Sequence, residues 1–488
     1  MKKLLVGQIN QRLEALPGHF DFITQPRISQ AIGFLTAIEQ SCVLLYDMGT
    51  GKTKIALDVF RYHRSLQLST RLLVLVPTTV LVEGWNIEIG KHAHDLRALT
   101  DLTDANILAG HYDVVVMTYA RFNRMMTTTV EKKKKKDGKE HEWKIDGAKA
   151  RQLLALFTSV VFDESTALSN HRSLTFKVCR LFGESVSRIA LTGTPMGRDP
   201  QHLWSQFFTI DYGETLGQTI GMFRAAFFTE KKRYWGGFDY QFRKAMTPQL
   251  HRMLSHNSIR YTIDECVDMP EKSFVPLKIT FTQEQWAYYK KAVERARAIA
   301  MGTDGSMLEL KDTFMSMRML ASGFAHIDGR YIDFAPNEKL DHLIQMIQTL
   351  GEKVVVFNVF VHSGDLIEQA LKKAKIKVAR IYSKTSDKPK QLRRFLEDEE
   401  CQVFLGNVDS TAMGLNLQIA RYCITFEPCH SPITRDQSVR RIWRPGQERQ
   451  SIFYDMMVKN SVEEKLYHYL EEGRSLFEAL IDGKDTLT

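Results

Sequence analysis

The stretch Asp47-Met48-Gly49-Thr50-Gly51-Lys52-Thr53 follows the apolar run Cys42-Val43-Leu44-Leu45-Tyr46 and precedes a helical pattern. A strand that ends in a glycine turn and reopens as a helix suits phosphate binding. Gly49 and Gly51 let the N–H groups of the loop, Thr50 included, converge on oxygens without a Cβ in the way, and the new helix offers its positive dipole end. Lys52 then reaches the β- and γ-phosphates, and the Thr53 hydroxyl holds Mg²⁺. The full G-x-x-x-x-G-K-[ST] spacing asks for glycine where Tyr46 stands, so a chance Gly-Lys-Thr turn is the competing reading.

About 110 residues later, Val160-Val161-Phe162-Asp163-Glu164 presents two carboxylates at the end of an apolar run. One carboxylate there suits Mg²⁺, and the next suits the orientation of an attacking water. Leu191-Thr192-Gly193-Thr194-Pro195 closes another apolar run. It reads either as an ordinary turn or as a hydroxyl switch that couples nucleotide state to motion. Farther on, Gln437, Arg441 and Arg444 would share one face of a helix at i, i+4 and i+7. Arginine suits a γ-phosphate because its rigid, permanently charged fork pairs with oxygens bidentately. A solvated basic helix is the alternative.

These residues need elements to hold them. Apolar runs at 41–46, 71–77, 113–118, 158–163 and 188–192 alternate with amphipathic stretches, and so do runs at 353–359, 377–383, 401–407, 422–428 and 451–458. Runs that are apolar throughout suit strands covered on both faces, hence parallel sheets flanked by helices. The expected fold class is therefore α/β, with two parallel-sheet lobes and a helical segment between them. The expected divisions are an N-terminal arm at 1–20, a first lobe at 21–211, a helical linker or protrusion at 212–335 and a second lobe at 336–488. Met301, Met307, Met315, Met317 and Met319 in the helical segment read as core filler. Ser461 and Glu464 suggest a capping box that opens a last helix toward Leu480.

The 488 residues, 44% hydrophobic and 25% charged, are ordinary for globular protein. The balance of 66 Lys+Arg against 57 Asp+Glu gives +9, a mild lean toward a polyanionic partner. Six scattered cysteines without a C-x-x-C pair read as reduced, buried thiols and indicate neither a disulfide framework nor a zinc site. No apolar stretch is long enough to span a membrane, and the start MKKLLVGQINQRLEAL is not a signal peptide. A five-lysine block within residues 127–147, centred on 131–140, reads as a solvated mobile loop or as an arm that contacts phosphates.

Taken in order, these segments resemble the motifs of superfamily 2 helicase-type ATPases, and within them the Swi/Snf family of double-stranded DNA translocases. The string from Gln437 to Gln447, ending in Gly-Gln, is the most specific match. PRISQAIGFL, VPTTVLVEGWNIE with Trp85 and Glu88, VVVMTYARF, LTGTP, IRYTIDECVDMPEK and AMGLNLQIARYCITFEP support it. The resemblance covers about residues 25–470 and implies two RecA-like lobes, ATP and Mg²⁺ as cofactors, and DNA as partner.

By the same resemblance, Arg27 and Gln30 fall in the adenine-recognition segment, Lys52 and Thr53 serve phosphate and metal, Asp163 the metal and Glu164 the water. Arg441 and Arg444 are the finger residues, Gly414 and Asn416 join DNA grip to the nucleotide cleft with Gln437 nearby, and Thr78, Thr118 and Tyr119 touch the DNA backbone. Thr166 stands where the family shows His, Ser410-Thr411-Ala412 replaces Ala-Gly-Gly, and His430-Ser431-Pro432 replaces Trp-Asn-Pro. These departures resemble the divergent branch of fork-remodelling and strand-annealing translocases. The resulting expectation is a monomeric, DNA-dependent ATP hydrolase of replication, recombination or repair, in a bacterial or phage-host cytosol or a nucleus. A strand-separating or branch-migrating helicase and a DNA-binding scaffold without turnover are the alternatives.

Overall fold

The computed structural model describes residues 6–18, 20–133, 139–183, 186–193, 199–232, 238–300, 307–408, 415–429 and 431–472. The chain divides into one unit spanning Met1–Asp268 and a second spanning Met269–Thr488.

The first unit is built on β1 (Cys42–Tyr46), β2 (Leu72–Val76), β3 (Ala98–Leu99), β4 (Val114–Thr118), β5 (Ser159–Asp163), β6 (Ser187–Leu191) and β7 (Ser258–Tyr261). Their order is β7-β1-β6-β5-β2-β4-β3, and every pairing is parallel. The expected apolar runs are strands because both sheet faces are covered. Leu73, Leu75, Val115 and Phe162 enter one core cluster, while Leu72, Val74, Val76 and Val116 enter another. The period of two thus sorts side chains between two cores. The helix Val6–Glu14 joins the second of these clusters through Ile9.

The second unit carries β8 (Lys272–Ile279), β9 (Val354–Asn358), β10 (Val378–Ile381), β11 (Val403–Asn407), β12 (Tyr422–Thr425) and β13 (Ser451–Val458), in the order β8-β13-β12-β9-β11-β10. All pairings are parallel here too. Each unit is an α/β lobe of RecA-like type.

Three local expectations are corrected. Residues 212–335 are not helical throughout: β7 completes the first sheet and β8 begins the second. The helices Gln283–Ala300 and Met307–Ala321 pack through Tyr289, Phe314 and Met317. The stretch Lys272–Ile279 alternates exposed and half-buried positions, and Pro276 is tolerated because β8 is an edge strand. The lysine-rich stretch is an antiparallel ribbon, Thr127–Lys133 against Lys139–Ile145, with 134–138 outside the described residues. Threonines, Val130, Trp143 and Ile145 favour strand, and Lys132 stands opposite Glu140. Ser461 caps Glu463 N–H (3.1 Å), while Glu464 accepts from Asn460 N–H (2.9 Å) and not from Ser461, so the reciprocal box does not form. That helix is described over Val462–Glu471; residues toward Leu480 lie outside the described ones.

Candidate nucleotide-binding site

The loop after β1 is positioned from several sides. Gly49 (φ 82°) and Gly51 (φ 89°) adopt left-handed backbone that admits glycine freely. A Cβ at Gly51 would lie 2.1 Å from Gln30 Nε2. Lys52, the first residue of the helix Lys52–Ser65, donates to the carbonyls of Tyr46 (2.6 Å) and Asp47 (3.2 Å). Thr50 donates its hydroxyl to Asp47 O (2.7 Å), and Thr53 occupies the first turn of the helix. Tyr46, where the full pattern asks for glycine, is the buried last residue of β1, and its hydroxyl donates to Ser29 O (2.7 Å). It therefore ties the loop to the helix Ile28–Ala37.

Gln30, expected in the adenine-recognition segment, sits against the loop. Its oxygen accepts Arg27 N–H (2.9 Å) and its Nε2 donates to Thr50 O (3.1 Å), so the amide fastens the helix start to the loop. Arg27 borders a cavity of about 450 Å³ with Ile28 and Ser29 on one wall and Tyr261, Glu265 and Cys266 on the other. Sequence reasoning missed the second wall, which arrives on β7. The signal was within IRYTIDEC, where Thr262 and Glu265 form a capping box; Ile263 N–H donates to Asp47 Oδ2 (3.1 Å).

Asp163 ends β5, two strands from β1 across β6. Its Oδ2 accepts Trp85 Nε1–H (2.7 Å) and its Oδ1 accepts Glu164 N–H (3.0 Å). Burial, followed by the Glu164 charge, raises its pKa to about 6 against the opposing pull of Trp85 and Lys52. Glu164 sits at φ 46°, a costly region for a non-glycine residue that the two bonds to Asp163 help to hold. Thr166 donates to Glu164 O (3.4 Å). Tyr119 is corrected as an outward contact: it is buried and donates its hydroxyl to Asp163 O (3.0 Å), so its one side-chain polar group is spent inward. Sequence reading gave Trp85 no role; a tryptophan needs an acceptor when buried, which was the available signal.

Thr192 is buried, and its N–H donates to Leu44 O (3.2 Å). Gly193 packs so closely on the loop that a Cβ would lie 3.4 Å from Tyr46 O. Thr194 is outside the described residues. Thr118 caps the helix Tyr119–Met125 by accepting Arg121 N–H (3.2 Å). Thr78 precedes the helix Thr79–His92, and its buried Oγ1 has no hydrogen-bond partner among the described residues.

In the second unit, Gln437 lies in the helix Pro432–Val439, which ends before the arginines. Arg441 and Arg444 lie beyond its end in non-helical backbone, so the shared helical face is corrected. Pro445 disfavours helix at Arg444, Gly446 takes φ 99°, and Trp443 is buried with Nε1 donating to Pro270 O (2.7 Å). Arg441 is itself buried, with its carbonyl accepting Leu417 N–H (2.9 Å). Asn416 is exposed, and its Oδ1 accepts Gln418 N–H (3.4 Å). Gly414, Ser410 to Ala412 and His430 lie outside the described residues.

A parallel sheet that sets a glycine-lysine loop and an Asp-Glu pair at the carboxyl ends of strands two apart defines a P-loop nucleotide-binding lobe. The SNF2-related domain matches residues 29–325, and the Helicase conserved C-terminal domain matches 338–446. The chain belongs to the SNF2-related family.

It is 25% identical to chromodomain-helicase-DNA-binding protein 1 of Gallus gallus over 91% of this chain and 26% of that one. It is 23% identical to the putative ATP-dependent helicase/translocase YwqA of Bacillus subtilis over 97% of this chain and 51% of that one. The chain thus spans about a quarter to a half of the length of these relatives. Among solved structures, the Sulfolobus solfataricus SWI2/SNF2 ATPase core in complex with dsDNA matches at TM-score 0.40 and 23% identity, covering 96% of this chain and 95% of that one.

Proposed function

We propose that this protein is an ATP-driven motor that moves along duplex or branched DNA. The observation that carries this reading is the placement of the Lys52 loop and the Asp163–Glu164 pair on one sheet, braced by Tyr46, Trp85 and Tyr119. Family membership supports DNA as the track.

Lys52 exchanges backbone carbonyls for phosphate oxygens, and loop N–H groups cradle the remainder. Glu164 orients the attacking water. Among the described residues no cluster of three or more His, Cys, Asp or Glu forms a metal cage. That fits Mg²⁺, which takes one or two protein oxygens and completes its shell with phosphates and water. Asp163 and Thr53 are the protein groups for it. When bound, Mg²⁺ neutralises charge developing on the phosphates. Arg441 and Arg444 are assigned to the same charge, as finger residues worth about 10³- to 10⁵-fold in rate. Thr78 and Thr118, each at a helix start, are assigned to the DNA backbone by the family resemblance.

The test is steady-state ATP hydrolysis with and without duplex DNA. Hydrolysis is expected to rise with DNA and to be lost in Lys52→Ala and Glu164→Gln; undiminished turnover in both variants would falsify the motor. Displacement of a third strand without opening of a blunt duplex or fork separates translocation from strand separation.

A further inference from the structure

We propose that the outer edge of the second sheet is a docking slot for an extended acidic peptide, which would add to β10 as the next strand. β10 is the last strand of that sheet, and among the described residues nothing pairs with its outer side. Lys377 O accepts Val403 N–H (3.2 Å) from the β11 side. By the alternation of a parallel ladder, residues 377 and 379 face inward, and the N–H groups of Val378 and Arg380 face out. Among the described residues Arg380 O accepts one hydrogen bond, a long one from Thr385 Oγ1 (3.5 Å). A cavity of about 650 Å³ lies against this edge.

Its walls are helices on opposite faces of the sheet. The crossovers from β9 to β10 and from β10 to β11 run in opposite directions across the sheet, so right-handed connections place Val361–Lys373 on one face and Lys388–Glu397 on the other. Glu368 and Lys372 line the slot from the first, Gln391 and Arg394 from the second. The space between two helix layers at a sheet edge has the shape of a missing strand.

The charge around it selects the occupant. The lining of the cavity holds Lys372, Lys375, Lys377, Arg380, Lys384 and Arg394 against the single carboxylate of Glu368. Lys372 pairs with Glu368, Lys377 with Glu400 and Arg380 with Asp365 and Glu368, whereas exposed Lys375, Lys384 and Arg394 form no ion pair among the described residues. A second copy of this edge would be repelled, as edge lysines ordinarily ensure, while a strand carrying carboxylates at alternate positions is drawn in. Cations alone would also suit nucleic acid; the row of outward backbone groups inside the slot is what favours a peptide.

The probe is a short fluorescent peptide alternating glutamate with threonine, titrated by anisotropy against the full chain. It is compared with the same peptide N-methylated at alternate residues, a lysine-for-glutamate version, and a short duplex as competitor. The acidic peptide is expected to bind. N-methylation should weaken it at least about tenfold by removing ladder hydrogen bonds, and the lysine version should not bind. Lys375→Glu with Lys384→Glu should lower affinity, and so should Val378→Pro, which removes one outward N–H; the N-methylated peptide makes the same test on the unaltered protein. Equal binding of methylated and unmethylated peptides, absence of binding, or displacement by equimolar duplex overturns the proposal, the last assigning the patch to nucleic acid.

Discussion

Asp163 illustrates how much of the site depends on residues that never meet a ligand. Its carboxylate is buried, raised in pKa and shared between Trp85 Nε1–H and Glu164 N–H. Trp85→Phe keeps one aromatic ring but removes the indole donor and part of the buried volume, leaving a buried oxygen short of a partner beside a small void. That should cost about 1–3 kcal/mol of stability, read by denaturant unfolding, and ATP turnover should fall because the Asp163–Glu164 turn loses a support. A variant with wild-type stability and turnover would show that Glu164 N–H alone holds the carboxylate. The placement of Lys52, Asp163 and Glu164 at the ends of strands was legible because a glycine turn and a pair of carboxylates each close an apolar run. Gln30, Tyr119 and Trp85 were not, because which way a polar group faces depends on neighbours far along the chain.

The helix Val462–Glu471 is held to the second unit by a buried ion pair. Lys339 donates to both oxygens of Glu463 (2.6 and 2.8 Å), and Glu463 also accepts Val458 N–H (3.0 Å). Lys339→Met strands a buried carboxylate and should cost about 3–5 kcal/mol. Adding Glu463→Gln keeps an acceptor for Val458 N–H and should restore most of the loss. Additive losses in the double variant, measured by unfolding, would contradict the pairing. The strands of both sheets that are buried on two faces were legible as apolar runs. β7, β8 and the Thr127–Ile145 ribbon were missed because one is four residues long and the others lie at edges, where polar residues and a proline are tolerated. The helix through Arg444 was expected from spacing alone; it stops at Val439, and Pro445 disfavours helix at Arg444.

At the scale of the molecule, a net charge of +9 is modest, and its distribution matters more than its sum. If the ribbon meets a duplex, replacing Lys132 to Lys136 with alanine should flatten the plot of log affinity against log salt by up to about 0.9 per lost phosphate contact. An unchanged slope makes the ribbon a solvated element with no part in DNA binding. The order of strands in the first unit has a further consequence for how the protein is made. β7 lies beside β1, and Asp47 takes Ile263 N–H from 216 residues away. The loop that opens the nucleotide site is translated well before its outer support, which comes last of all the strands in its sheet. At about 5–20 residues per second, the nascent loop waits roughly 10–40 s for its neighbour, with one side of β1 an open edge until then.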